Sequence, residues 1–408
     1  MKRLLLPLGL AALLSSPMVA SAQPTATDPS RLTLDQAQQL AAARSPELSA
    51  ARKELDAAEG GLQQAGARRN PELSTTIEDM RSATRTTTAT IGFPIELGGK
   101  RAARITAAER ARDVASARLA EVRARVRAAV VSDYFAVVIA QERVKLAQDS
   151  AKLADEAAEA VGKRVAAGKI SPVDAGPRGV DAANARLEVA EARAELRLAR
   201  QALAASWGEA EAGFSEVDGS ATEAPSRPSA PELLRDVDAS PGLVAGRLEV
   251  DVRRAQVDVE RSKAVPDLVV SVGAKRDNEL GLTQAVVGVS IPLPVFDRNQ
   301  GAAYEASRRA DKARDEYDAA RARLLADISQ ASTRLSSAQA SLAVLRETVL
   351  PAAEQAYEAS SAGFEAGKFG FLDVLDTRRS LLQARARHLN TLVSAWQAAT
   401  TLDRLLGR

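Results

Sequence analysis

Two hydrophobic periods take turns along this chain. In ELSTTIEDM from Glu72 and TTTATIGFPIE from Thr86, apolar and polar residues alternate, with Leu73, Thr75 and Ile77 on one face and then Ile91, Phe93 and Ile95. A period of two predicts strands, here a hairpin over 72–96. DLVVSVGAKR from Asp267 and TQAVVGVSIPL from Thr283 repeat the pattern and predict a second hairpin over 267–293. After each hairpin the period lengthens. Val122, Val126, Ala129 and Val130, then Leu324, Leu325, Ile328 and Leu335, recur at three and four residues within Ala-, Arg- and Glu-rich stretches, as in coiled coils. Helices are therefore expected over 99–166 and 300–366, each about 100 Å long at 1.5 Å per residue. No compact domain needs such a length, and Pro351 should bend or interrupt the second helix near Leu350.

The two halves are copies. SPELSAAR at Ser45 matches SPGLVAGR at Ser240, and NPEL at Asn70 matches VPDL at Val265, both at an offset of 195. IGFPIE aligns with VSIPLP, putting Pro94 against Pro292, and the AGK at Gly168 aligns with the AGK at Gly367. The first repeat spans 23–207 and the second 233–408, each with a helix, a hairpin, a long helix, a tip turn (167–173 and 367–371) and a return helix. Thr33 can cap the first helix, with Gln36 completing a capping box. The Pro-, Ser- and Ala-rich stretch within 208–232 reads as a linker or equatorial segment.

Composition narrows the class. Residues 1–22 have a basic start, an apolar run from Leu4 to Leu14 and the ending Ala20-Ser21-Ala22, which is a secretory signal peptide. Without Lys2 and Arg3, 55 − 2 = 53 basic residues face 53 acidic ones, a balance that disfavours nucleic acid as a partner. Cysteine is absent, which excludes disulfides, thiolate metal sites and an acylated N-terminal cysteine. His388 is the only histidine, and two of the three methionines lie in the leader, so no dedicated metal site or cofactor is expected. No nucleophile, base and orienting group converge, so the chain does not read as an enzyme. LGGKR lacks phosphate-loop spacing, and Gly98 and Gly99 read as a bend from strand to helix.

Four strands of about ten residues have membrane-spanning length, but one chain cannot close a barrel. Open edges are not tolerated in lipid, so identical copies must complete the sheet. Two copies give eight strands, whose lumen side chains fill; three give twelve and leave a passage. The expected fold class is an internally duplicated α+β membrane protein, a homotrimer with a twelve-stranded barrel in outer-membrane lipid and a helical coiled-coil tunnel below it. At the tunnel's far end the AGK turns, with Gly168, Lys169, Gly367 and Lys368, reverse the chain. Asp373 and Asp376 then share one helix face, either as a ring of pore carboxylates or as first-turn acids stabilised by the helix dipole. Trp207 and Trp396 end equivalent helices and read as packing residues.

The duplicated tips, RVAAGKISPVDAGPRGVDAANAR and GFEAGKFGFLDVLDTRRSLLQAR, resemble those of the outer-membrane efflux protein family, the TolC-like trimeric channel-tunnels of tripartite pumps. IGFPIELGGKR is similar to the E-x-G-G-K-R of the branch serving heavy-metal pumps of the resistance-nodulation-division (RND) type. That resemblance implies a passive duct for divalent cations, docked at its tips on a periplasmic adaptor that links it to an inner-membrane RND pump. It also implies that Asp373 and Asp376 form the periplasmic constriction, with Asp174 the counterpart of Asp373 in the first repeat. A duct for organic toxicants or secreted protein would share this architecture, and a soluble periplasmic scaffold is the remaining alternative.

Overall fold

The computed structural model describes residues 31–168, 171–219 and 224–408, without the side chains of 172–178 and 371. The expected signal peptide, Lys169 and the side chain of Asp174 lie outside the described residues.

Residues of the first copy form β1 (Arg31–Leu32), α1 (Leu34–Arg44), α2 (Pro46–Gly66), β2 (Glu72–Glu78), β3 (Thr86–Ile95), α3 (Lys100–Ala166) and α4 (Pro172–Ala205). Then follow β4 (Glu216–Val217), α5 (Ala230–Arg235), α6 (Pro241–Ser262), β5 (Leu268–Asp277), β6 (Leu282–Ser290), α7 (Gln300–Val344), α8 (Leu350–Glu365) and α9 (Phe371–Leu406). Thr33 caps α1: its Oγ1 accepts from the Gln36 amide at 3.3 Å, and Gln36 Oε1 accepts from the Thr33 amide at 3.0 Å. Where one helix was expected before each hairpin there are two segments, because Pro46 and Pro241 occupy first turns, where a proline begins a helix and cannot continue one. Pro351 acts differently. A π turn over Leu345–Val349 precedes it and absorbs the hydrogen bond its ring cannot donate, so α7 runs on into α8.

The stretch expected as a linker contributes structure. β4 pairs in parallel with β1, Leu32 opposite Val217. The Tyr134 hydroxyl on α3 donates to the carbonyls of Leu32 (3.1 Å) and Asp218, and Gln141 exchanges two hydrogen bonds with the Val217 backbone. Two-residue strands are too short to show a period, which hid them from the sequence. Trp207 and Trp396 are both packing residues, but they are not equivalent: Trp207 follows the end of α4, whereas Trp396 sits inside α9, stacked on Phe135.

Each copy has an elongated core along a long helix. Val126, Val130, Tyr134 and Val137 of α3 pack with Leu48, Leu203 and Trp207 in the first. Ile328, Leu335 and Leu342 of α7 pack with Leu243, Leu392 and Leu402 in the second.

The four long strands form one antiparallel sheet in the order β2-β3-β5-β6, so the copies meet at β3 and β5. The ladder corrects the alignment of the copies. Leu73 stands opposite Ile91, and the β5–β6 ladder, which starts at Val269 opposite Ser290, brings the counterpart Leu268 level with Ile291. The helix starts agree, since Gly99 and Asn299 both precede a long helix in the left-handed conformation. Ile91, Phe93, Pro94 and Ile95 therefore correspond to Ile291, Leu293, Pro294 and Val295, an offset of 200, and the partner of Pro94 is Pro294, not Pro292.

Candidate functional site

Cross-strand partners share a face, so the ladders sort the sheet into two surfaces. One carries Leu73 and Ile77 of β2, Ile91, Phe93 and Ile95 of β3, Val270 and Val272 of β5, and Val287 and Val289 of β6. The other carries Ser74, Thr76, Thr88, Thr90, Ser271, Lys275 and Gln284. Nothing among the described residues covers the apolar face: Leu73 is 72% and Val287 75% exposed. Leaving such side chains in water forfeits about 1.5–3 kcal/mol each, a surface suited to lipid. No helix among the described residues is long and apolar enough to cross a membrane.

Where strands become long helices, charges converge. Glu96 follows β3 and accepts both guanidinium arms of Arg104, with Arg69 3.5 Å away. Asp267, just before β5, holds Lys100 and Arg69 and accepts from the Leu97 amide. The Arg104 hydrogen bonds hold Glu96 below the usual carboxylate range despite its burial. Burial pushes Asp267 up, but Lys100, the Leu97 amide and Arg69 outweigh it and the net direction is down. Arg101 reaches back to the Gly66 carbonyl. Gly98 lies at φ +69, and a Cβ there would stand 2.6 Å from that of Val265, so the bend has room only for glycine. Gly99, also left-handed, has open space around it. Sequence reading found the two glycines and missed the ionic knot; acids at the strand ends with basic residues at 69, 100 and 104 were the available signal.

At the far end, Gly168 and Gly367 close α3 and α8 with positive φ, as helix-ending turns require. Exposed Phe364, Phe369 and Leu372 surround the second turn beside Lys368, an apolar tip that the sequence reading did not single out. The two aspartates separate in role. Asp373 accepts from the Gly370 amide at 2.8 Å and so closes the start of α9. Asp376 is exposed, without a side-chain hydrogen bond or ion pair among the described residues, and borders a groove of about 1140 Å³ between α3, α4 and α9. Arg378 reaches Glu156 of α3 at 3.3 Å, and Arg379 approaches Asp181 of α4 at 3.8 Å. Beneath them the apolar contact is small: Leu153, Ala157 and Leu375, with Leu382.

Among the described residues no group of three or more His, Asp or Glu side chains is arranged to hold a metal ion. Burial and the neighbouring Arg346 push His388 below its ordinary value.

The chain is 55% identical to the cobalt-zinc-cadmium resistance protein CzcC of Cupriavidus metallidurans, an alignment covering all of both chains. In fold it is similar to the outer membrane protein VceC of Vibrio cholerae, with a TM-score of 0.75 at 22% identity over 92% of this chain and 96% of that one. It also resembles CusC, with a TM-score of 0.71 at 16% identity over 98% and 97% of the two chains. The family model described as "Outer membrane efflux protein" matches twice, at residues 37–209 and 237–408. With both copies matched and the fold shared, this chain belongs to the outer membrane efflux protein family.

Proposed function

We propose that three copies close a twelve-stranded barrel in the outer membrane, continued by a helical tunnel through which an inner-membrane RND pump, joined by a periplasmic adaptor, expels divalent heavy-metal cations. The observation that carries the duct is a sheet with one apolar and one polar face whose outer strands, β2 and β6, each have a free edge. Unpaired backbone groups cannot stay in lipid, and twelve strands are enough for an open lumen. The cargo rests on the full-length likeness to a cobalt-zinc-cadmium resistance protein. Selection among ions falls to the pump, since the polar face mixes Ser, Thr and Gln with Lys275 and the hard carboxylates Glu72, Glu78 and Asp277 and carries no His or Cys to prefer one transition metal over another.

The exposed tips around Gly168 and Gly367, with Lys368 and Phe369, suit a docked helical hairpin of the adaptor. Asp376, counted three times around the axis, is the constriction carboxylate, while Asp373 first serves as a cap. Deleting the gene tests the function: growth should fail on graded zinc, cobalt and cadmium, and return with the plasmid-borne gene. Unchanged metal tolerance with new sensitivity to organic toxicants would overturn the cargo. A protein that fractionates with the soluble periplasm would overturn the duct. In planar bilayers Asp376→Ala should raise conductance and lower cation preference, and an unchanged channel would remove Asp376 from the constriction.

A further inference from the structure

The apolar face of the sheet changes character between the helices and the hairpin turns. Along β5 its residues are Leu268, Val270, Val272, Ala274 and then Arg276, whose row across the sheet is completed by Ile77, Thr87 and Thr283. Among the described residues Arg276 is the one charged side chain on this face of the four strands. It lies eight residues beyond Leu268. That is about 27 Å of strand and about 20 Å of height at a barrel's tilt, near the edge of an apolar band about 25 Å tall. Arg85 extends the same face beyond the start of β3, since its carbonyl accepts from the Asn278 amide at 3.1 Å and so carries the ladder one rung further. The two arginines are diagonal neighbours, about 7–8 Å apart by backbone spacing and within reach of one another's long side chains.

Neither arginine meets a carboxylate among the described residues. Arg276 Nη1 donates to the Gly281 carbonyl at 3.0 Å and to the Thr283 hydroxyl at 3.2 Å, and Arg85 Nη2 donates to the Met80 carbonyl at 3.1 Å. Arg85 is half-buried, and its Nε is shut from water without any partner. Other basic side chains at this end of the sheet have an acid: Arg81 holds Asp79 at 2.9 Å, and Lys275, on the polar face, approaches Glu78 at 3.9 Å. Uncompensated positive charge therefore gathers on the lipid side, at the turn end of the strands.

We propose that Arg85 and Arg276, with the hydroxyls of Thr87 and Thr283, form a site for the phosphate of lipid A, the glycolipid of the outer leaflet. This rests on the duct reading above, which puts the helices in the periplasm and hence the turns at the cell surface. Guanidinium forks match phosphate oxygens in pairs, and the aliphatic stems of the arginines can lie along the apolar strands while their heads reach the headgroup layer. A phosphate supplies the acceptors that Arg85 Nε and the remaining guanidinium donors lack. Phospholipid phosphate has the same chemistry, but its leaflet borders the opposite, helical end of the strands. One such site per chain would tether the exit of the duct to the glycolipid around it.

The test titrates the full chain in mild detergent with lipid A, with lipid A stripped of both phosphates, and with phosphatidylglycerol, counting bound lipid by native mass spectrometry. R85Q/R276Q should bind lipid A at least about tenfold more weakly than the wild type, because charge-assisted hydrogen bonds to phosphate are lost. K275Q, altered on the polar face, should bind lipid A as the wild type does. The stripped lipid should bind the wild type as weakly as lipid A binds the double variant, a comparison that decides the matter even where R85Q/R276Q fails to assemble. Equal binding of lipid A by wild type and double variant, or of the two lipid A forms by the wild type, would overturn the site and leave the duct standing. Phosphatidylglycerol bound as tightly as lipid A would overturn the outer-leaflet assignment. A protein that fractionates with the soluble periplasm would overturn the duct and the site together.

Discussion

Replacing Glu96 with alanine tests whether the ionic knot holds the sheet on the helices. The Glu96 side chain is 9% exposed and that of Arg104 32%, so removing the acid strands one partly sheltered guanidinium and leaves Arg69 with Asp267 alone. Breaking a fully buried pair costs 3–5 kcal/mol; water reaches Arg104, which lowers the expected loss to about 2 kcal/mol. Arg104→Ala should cost a similar amount. Because both single changes break the same contact, E96A/R104A should be less damaging than their sum by about 1 kcal/mol.

The assay is guanidinium unfolding of the detergent-solubilised protein, followed by far-ultraviolet circular dichroism. pH gives an independent arm. Glu96 and Asp267 both have lowered native values, so their stabilisation is complete above the ordinary carboxylate values of 4.5 and 3.8 and is lost as pH falls through the native ones. The wild type should weaken faster than E96Q/D267N on acidification. Additive single changes, or equal acid slopes for wild type and double variant, would refute the reasoning.

Three further outcomes follow from other sites. Gly98→Ala should destabilise by 2 kcal/mol or more on the order expected for a strained positive φ with a clash, whereas Gly99→Asn should be nearly neutral because Asn299 already occupies the matching place; equal melting of the two variants would contradict this. Tyr134→Phe should cost about 1 kcal/mol and increase hydrogen exchange at Leu32 and Val217. Burial and Asp218 push the Tyr134 hydroxyl up to about 12, so its contribution should hold below pH 10 and fade as pH rises through that value, a loss the phenylalanine variant should not show. R378A/R379A removes two links from α9 to α3 and α4, each worth about 0.2–1 kcal/mol at such exposure; in bilayers it should lengthen open times, and unchanged gating would exclude these arginines as a latch.

What could be read in advance depended on how each element announces itself. The period of two at Leu73, Thr75 and Ile77 and the spacing of Val122, Val126 and Val130 are local patterns, and both lie in the elements they suggested. Thr33 and Gln36 close their box because its two hydrogen bonds span only three residues. Features made by residues distant in sequence were invisible. Lys100 and Asp267 are 167 positions apart, Tyr134 and Leu32 102, and no local spacing links them.

The tip aspartates show the same limit from the other side. Their spacing suggested a shared task, but the Gly370 amide engages one carboxylate while the other has no side-chain partner among the described residues, a division that a helical wheel cannot express. The Pro94 alignment failed for a related reason: two prolines follow β6, and only the ladder and the left-handed residues at 99 and 299 decide which one is equivalent. Sequence symmetry therefore becomes structural evidence once hydrogen-bond register fixes its phase.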